Sequence, residues 1–379
     1  MDSIDLFDER KMKIEDIKTK SKNTKTVTFS KYMDLKTIIL LTILFSNFYI
    51  IYLFSSINKK VFRKSFISKN LISQNPDKIG KSESIIQESF SIQKDFCINP
   101  NKYLNQQYEN MINLTDFRFK SIDYKLYVYK EGDHISNSII RKKSYDDKEM
   151  NNFYDVLEYY QKKNNIFDKK DIYMLDLGAN LGVYPSYFGK LGYTVISFEA
   201  SPRNYYLLKK NYCLINRNSQ NIIIINRGIS NQEKICNYYT QIRGIGNGMV
   251  KCEENREEFD NAGCHWKKTF EIPIIKLSDF IPYLVSKNLA LIKLDIEGSE
   301  ALVMQEASEL ITKYHIPYIY SEFNMAMITE HGNNPREYIK LFTNNGYKMS
   351  REGFLSKNFI SPEKLFSIEV LYFTYYGSE

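Results

Sequence analysis

Three patterns of apolar and polar residues succeed one another along the chain. From Thr37 to Asn58, 22 residues pass without a charge, and a helix of that length reaches roughly 33 Å, the thickness of a bilayer's hydrocarbon core. The segment predicts a single transmembrane helix at 37–58. A charged tail, residues 1–36, precedes it, which sets it apart from a cleaved signal peptide. Residues 59–100 are rich in Ser, Lys, Gln and Asn with little periodicity and read as a stem. In residues 101–170, Ile122–Tyr129 alternates like a strand, and Phe153, Val156, Leu157 and Tyr160 share one helical face, which predicts a cap. From residue 171 to 379, apolar runs alternate with helical stretches. Strands are expected at Ile172–Leu177, Thr194–Phe198, Ile222–Ile225, Leu291–Leu294 and Ile316–Tyr320, with a closing hairpin at 346–349 and 368–375. Continuous apolar strands alternating with helices specify an α/β domain whose mostly parallel sheet is covered on both faces.

Charge narrows the partners. Of the net charge of +7, +6 sits in the tail and stem, and residues 101–379 carry 35 basic against 34 acidic side chains, so a nucleic-acid partner is not expected. The expected partners are the bilayer, through residues 37–58, and a small-molecule or glycan acceptor. Lysines flank the apolar segment about equally, and the positive-inside rule does not orient it. The acceptor triplet Asn113-Leu114-Thr115 and five cysteines after the anchor favour a single-pass protein whose C-terminal body is lumenal, in the Golgi or endoplasmic reticulum. Cys236, Cys252, Cys264 and His265 contain no close Cys-x-x-Cys pair, so a disulfide such as Cys252–Cys264 is expected ahead of zinc, and Cys213 reads as core. No metal is assigned; a cation held by Asp295, Glu297 and Glu322 is the lesser reading. Gly244–Met249 reads as a Gly-rich loop, equally a lid or an ordinary surface loop.

The chemistry concentrates in two segments. In Met174-Leu175-Asp176-Leu177-Gly178-Ala179-Asn180-Leu181-Gly182 a strand runs into a turn of small residues and then a helix, whose free amides face a ligand. Many nucleotide proteins share such a turn. Glu199 closes the second strand, where an acid accepts both hydroxyls of a ribose. An NAD site wants glycines that admit a pyrophosphate, whereas Asn180 holds the central place here. Asp176 would crowd a pyrophosphate and suits a cation, so S-adenosylmethionine is preferred to NAD. In Lys293-Leu294-Asp295-Ile296-Glu297-Gly298-Ser299-Glu300, Asp295 and Glu297 alternate around the fourth strand's end. Glu300 falls in the first helical turn, where the dipole favours negative charge, and a helix-start role is its simpler reading.

Both segments resemble the FkbM family of S-adenosylmethionine-dependent methyltransferases, within the class I, Rossmann-like methyltransferase fold. The resemblance rests on Asp176 to Gly182, Phe198-Glu199 and Lys293 to Glu300, and covers residues 172–350. It implies methyl transfer to hydroxyls on varied acceptors. Carried over by position, Asp176, Gly178, Ala179, Asn180, Gly182, Glu199, Ala200 and Asp295 line the cofactor, with Ala200 standing where the family commonly has Pro. Asp295 and Glu297 border the reactive methyl, and His331 is a further candidate base. The expectation is therefore a membrane-anchored O-methyltransferase acting on a hydroxyl, most plausibly of a glycan. The competing readings are an inactive methyltransferase-like binding module, a cytosol-facing methyltransferase of lipid or protein, and an NAD-linked oxidoreductase.

Overall fold

The computed structural model describes residues 76–216, 221–261 and 263–377, all within the second of two compact units, Lys64–Glu379. Helices α1 (Pro76–Ile98) and α2 (Gln106–Met111) lead into a hairpin of β1 (Ile112–Phe119) and β2 (Ile122–Tyr129), followed by α3 (His134–Lys142) and α4 (Asp147–Lys163). The alternating part begins with β3 (Ile172–Leu177), α5 (Val183–Lys190), β4 (Thr194–Phe198), α6 (Pro202–Asn216) and β5 (Ile222–Ile225). An insertion then supplies β6 (Gly228–Ser230), β7 (Lys234–Gln241), β8 (Gly244–Lys251), β9 (Glu258–Asn261) and β10 (Cys264–Lys276). After it come α7 (Ile281–Val285), β11 (Asn288–Leu294), α8 (Glu300–Glu306), α9 (Glu309–Thr312) and β12 (Tyr318–Asn324). The chain closes with α10 (Met325–Glu330), α11 (Pro335–Thr343), β13 (Tyr347–Ser350) and β14 (Ile368–Tyr375).

Seven strands form the main sheet in the order β13-β14-β12-β11-β3-β4-β5, with β14 antiparallel to both neighbours. The order reverses between β3 and β11, the point at which an open α/β sheet leaves a crevice beyond its strand ends. Alternate residues of β3 serve different layers. Ile172 and Met174 pack with Phe153, Val156 and Leu207 from the cap and α6, while Leu175 and Leu177 pack with Phe280, Val303 and Leu310 on the other face. Burial on both faces is why these strands read as continuous apolar runs. Strand order and the reversed β14 agree with the Rossmann-like methyltransferase fold expected from the sequence.

Three expectations are corrected. Among the described residues no helix is long and apolar enough to cross a membrane, so the single transmembrane helix and the single-pass, lumenal localisation are withdrawn. The segment 37–58, with the tail 1–36 and residues 59–75, lies outside the described residues. The stem reading fails over 76–98, which is helix α1. There Ser82, Ile86, Gln93 and Phe96 are buried. Gln93 donates to the Ile222 carbonyl at 2.9 Å and accepts from the Ile224 amide at 3.1 Å, so one side-chain amide covers the open edge of β5. Polar residues used for such pairing make a buried helix look like a solvated stem. The cysteines pair as Cys97–Cys213 and Cys236–Cys252, leaving Cys264 free, in place of Cys252–Cys264.

Cys97–Cys213 staples α1 to α6 across 116 residues of sequence. Breaking so long a loop costs about 2–4 kcal/mol of stability. Cys97→Ser should therefore lower the thermal midpoint clearly, whereas Cys264→Ser should leave it within error; equal midpoints for the two variants would show that the bond does not stabilise the fold.

Candidate active site

At the reversal point the sequence sets a lysine beside an aspartate. Lys293 on β11 is in register with Asp176 on β3, and both face the cap side of the sheet. The Lys293 Nζ meets Asp176 Oδ1 at 3.2 Å and Asp295 Oδ2 at 3.3 Å, and donates to the Gly178 carbonyl at 3.1 Å. Burial pushes this ammonium toward neutrality, but Asp176 and then Asp295 outweigh it and hold its pKa above the ordinary lysine value. Asp176 is fully buried, and its neutralising cation is Lys293. It therefore has no free charge to offer a cofactor, contrary to the sequence expectation.

The turn after β3 is shaped by close approach. Gly178 has φ +88°, and a Cβ there would overlap the Asp295 carbonyl. Asn180 sits at φ +51°, its Oδ1 accepting from the Leu181 amide at 2.8 Å. Glu199, at the tip of β4, accepts from the amides of Asn180 at 2.7 Å and Ser201 at 2.8 Å, one on each oxygen. The oxygen that takes the Ser201 amide also accepts from Asn204 Nδ2 at 3.4 Å, so the free lone pair is on the oxygen facing Asn180 and suits a ribose hydroxyl. Burial pushes Glu199 up to about 7, against the pull of those amides.

These residues line a cavity of about 870 Å³, its open mouth included. Gly178, Ala179, Asn180, Glu199, Ala200, Asp295 and Glu297 all reach its wall. Asp176 and Gly182 do not; Gly182 opens α5 at φ +93° and packs so closely on Leu208 that a Cβ would overlap it. His331 stands instead in a neighbouring groove, where burial ahead of the Lys251 charge pushes it down to about 4. The segment read as a Gly-rich loop is strand β8, and it roofs the cavity. Its Gly246 carbonyl accepts from Asn180 Nδ2 at 3.2 Å and Asn204 Nδ2 at 2.8 Å, and Ile245 donates to the Gly132 carbonyl at 2.7 Å.

Sequence reasoning missed several wall residues. Tyr145 and Asp146 come from the cap, Tyr184 and Asn204 from α5 and α6, and Arg227 and Tyr238 from the insertion. Asp146 accepts from the Tyr184 hydroxyl at 3.1 Å. Only its acid character was legible; nothing local ties it to β11. The walls thus carry Asp146, Glu199, Asp295 and Glu297 against Arg227 and Lys293, and Lys293 also serves Asp176. Glu300 accepts from the Ile296 amide at 2.8 Å, the helix-start role. Glu322 is pushed well up by burial and by Asp295 and Glu297. Among the described residues no group of three or more His, Cys, Asp or Glu is arranged to hold a metal ion.

Residues 176–349 match the family model described as the methyltransferase FkbM domain, which places this domain in the FkbM methyltransferase family. That match supports a methyltransferase domain over these residues. No curated protein matches the sequence. Magnesium protoporphyrin IX methyltransferase (ChlM) from Synechocystis PCC 6803, with bound SAM, is similar over 64% of this chain and 84% of its own, at 11% identity and a TM-score of 0.31. A protein of the NADB-Rossmann superfamily from Streptococcus agalactiae is similar over 58% and 68%, at 14% identity and a TM-score of 0.29. Precorrin-6y C5,15-methyltransferase from Geobacter metallireducens GS-15 covers 58% and 87%, at 11% identity and a TM-score of 0.28. Likenesses this slight carry no argument; strand order and the family match do.

The crowded acids set a pH dependence. Burial above all pushes Asp146, Glu199 and Glu300 up to about 7 and Glu297 up to about 8. Unfolded, they titrate near pH 4, so between pH 6.5 and 8 the folded state holds protons that the unfolded chain has released. Stability therefore falls as pH rises through that window. His331 acts in the opposite sense, but only below its ordinary value of 6.5. The thermal midpoint should drop from pH 6.5 to 8, and Glu297→Gln should flatten the drop by up to about 1.4 kcal/mol per pH unit. A midpoint that rises over that interval contradicts this reading of the acids.

Proposed function

We propose that the protein is an S-adenosylmethionine-dependent O-methyltransferase acting on a hydroxyl acceptor, with a glycan as the first acceptor class to test. One observation carries the cofactor: the cavity beside a family-matched turn has more carboxylates than cations in its walls, and so favours a cationic nucleoside. The residues fit it. Glu199 keeps a lone pair on Oε2 for a ribose hydroxyl, Gly178 and Asn180 bring the turn to the cavity wall, and Asp295 borders the charged end. S-adenosylmethionine supplies an electrophilic methyl on a sulfonium.

The chain's own part is to align the acceptor and take its proton. Positioning supplies much of the rate. Asp295, held by Lys293 with its side chain 42% exposed, is the base that receives the hydroxyl proton at the mouth. Glu297, protonated at neutral pH, donates a hydrogen bond beside it. A glycan is supported by the adjoining groove, which shares Ile229, Val250 and Ser299 with the cavity. There Asn231, Gln232, Glu253 and Glu330 present amides and carboxylates of the kind that bind sugar hydroxyls, and suit a glycan better than an acyl chain.

Titrating the chain with S-adenosylmethionine, then offering methyl-labelled cofactor to glycan, lipid and protein fractions, tests both halves. Glu199→Ala should weaken cofactor binding about tenfold or more, the worth of lost hydrogen bonds to a charged group. Asp295→Asn should lower turnover by about 10²–10⁴ with cofactor affinity little changed. Absence of binding sinks the cofactor, and label in protein or lipid alone sinks the glycan.

A further inference from the structure

We propose that Asp146, supplied by the cap, pairs directly with the cationic amino-acid end of the cofactor, which makes the cap a part of the cofactor site. The inference rests on the S-adenosylmethionine reading above.

Asp146 holds φ +50° at the start of α4, a left-handed conformation that is unfavourable for a residue other than glycine. An aspartate at that position ordinarily caps the helix, yet this one makes no capping hydrogen bond. Its side chain lines the cavity instead, where Oδ2 accepts from the Tyr184 hydroxyl. The strain thus yields no local return and serves to aim a carboxylate.

What faces that carboxylate is mostly acidic or neutral. Tyr145 and Glu149 come from its own segment, Tyr184 from α5, Lys293 and Asp295 from the end of β11, and Tyr320 and Tyr372 from β12 and β14. Lys293 is the sole cation of this set, and it is shared between Asp176 and Asp295. Among the described residues Asp146 has no ion pair. It therefore stands near Asp295 on the cavity wall as a half-buried acid without an ion pair. Burial, followed by Glu149, pushes it up to about 7. A cofactor whose amino-acid end carries an ammonium next to a sulfonium supplies that partner.

Asp146→Asn is the informative substitution in the full chain, because asparagine tolerates the left-handed conformation and keeps the size while removing the charge. Calorimetric titration with S-adenosylmethionine is compared with 5′-methylthioadenosine, a neutral ligand that keeps the nucleoside and lacks the amino-acid end. S-adenosylmethionine should bind about ten- to a hundredfold more weakly to the variant, as expected for a lost hydrogen bond to a charged group. The neutral ligand should bind the variant as it binds the wild type, with the unliganded thermal midpoint not lowered. Unchanged S-adenosylmethionine affinity, or equal weakening of both ligands, overturns the assignment. A wild-type chain that binds neither ligand overturns the cofactor reading itself, an outcome distinct from a variant that matches the wild type.

Discussion

Lys293 carries an ammonium into a place where burial alone would neutralise it, and Asp176, Asp295 and the Gly178 carbonyl keep it charged. The three partners belong to the tip of β3, the turn that follows it and the tip of β11. One side chain therefore holds together the strands between which the sheet order reverses. Removing one member would leave a buried charge uncompensated, which costs roughly 3–5 kcal/mol. The network spans the two segments that the family resemblance picks out, and it explains why an acid and a base occupy neighbouring strands there. Asp176 anchors the lysine from the inside, and Asp295 reaches from the same lysine into the cavity. The inner acid is fully buried, and the outer one lines the cavity.

Around that anchor the cavity is composite. The main sheet supplies its floor through the turn after β3 and the tip of β4. The insertion supplies a roof, because the Gly246 carbonyl of β8 collects the side-chain amides of Asn180 and Asn204. Gly246 is required there, since a Cβ would overlap Asp133. The cap supplies a wall through Tyr145 and Asp146. Cys236–Cys252 joins β7 to the residue just after β8, holding the roof to its own sheet. Each segment thus contributes what the parallel sheet cannot, since the sheet offers only strand tips.

How much of this was legible in the sequence follows from the range of each interaction. The strands β3, β4, β5, β11 and β12 were legible because strands buried on both faces leave apolar runs, and Glu199 and Asp295 because they close such runs. The partner of Asp176 was not, because Lys293 reads as one more residue of a strand until register sets it opposite the aspartate. Helix α1 was missed since its contacts with the sheet include Gln93 and Ser82, polar residues that periodicity counts as solvated. Strand β8 was missed for a related reason: Gly244, Gly246 and Gly248 weaken a strand signal, while in the fold they admit Gln241, Asp133 and Tyr238 at close range. The disulfides followed contacts between elements, which spacing along the chain does not encode.

The accumulation of acids at one cavity carries a cost that the fold alone does not offset. Asp146, Glu199, Glu297 and Glu300 all titrate above their ordinary range, which means that each is held where ionisation is unfavourable. A protein needing only a stable core would bury apolar residues there, since these replace buried charges without loss. The arrangement makes sense as preorganisation: dipoles and charges fixed in advance, in a site that a cation completes, avoid reorganisation at the moment of reaction. Ligand binding and stability are then linked, because whatever neutralises the acids also favours the folded state. With the cofactor proposed here, the same electrostatic debt that weakens the empty fold would favour a positively charged ligand over a neutral one.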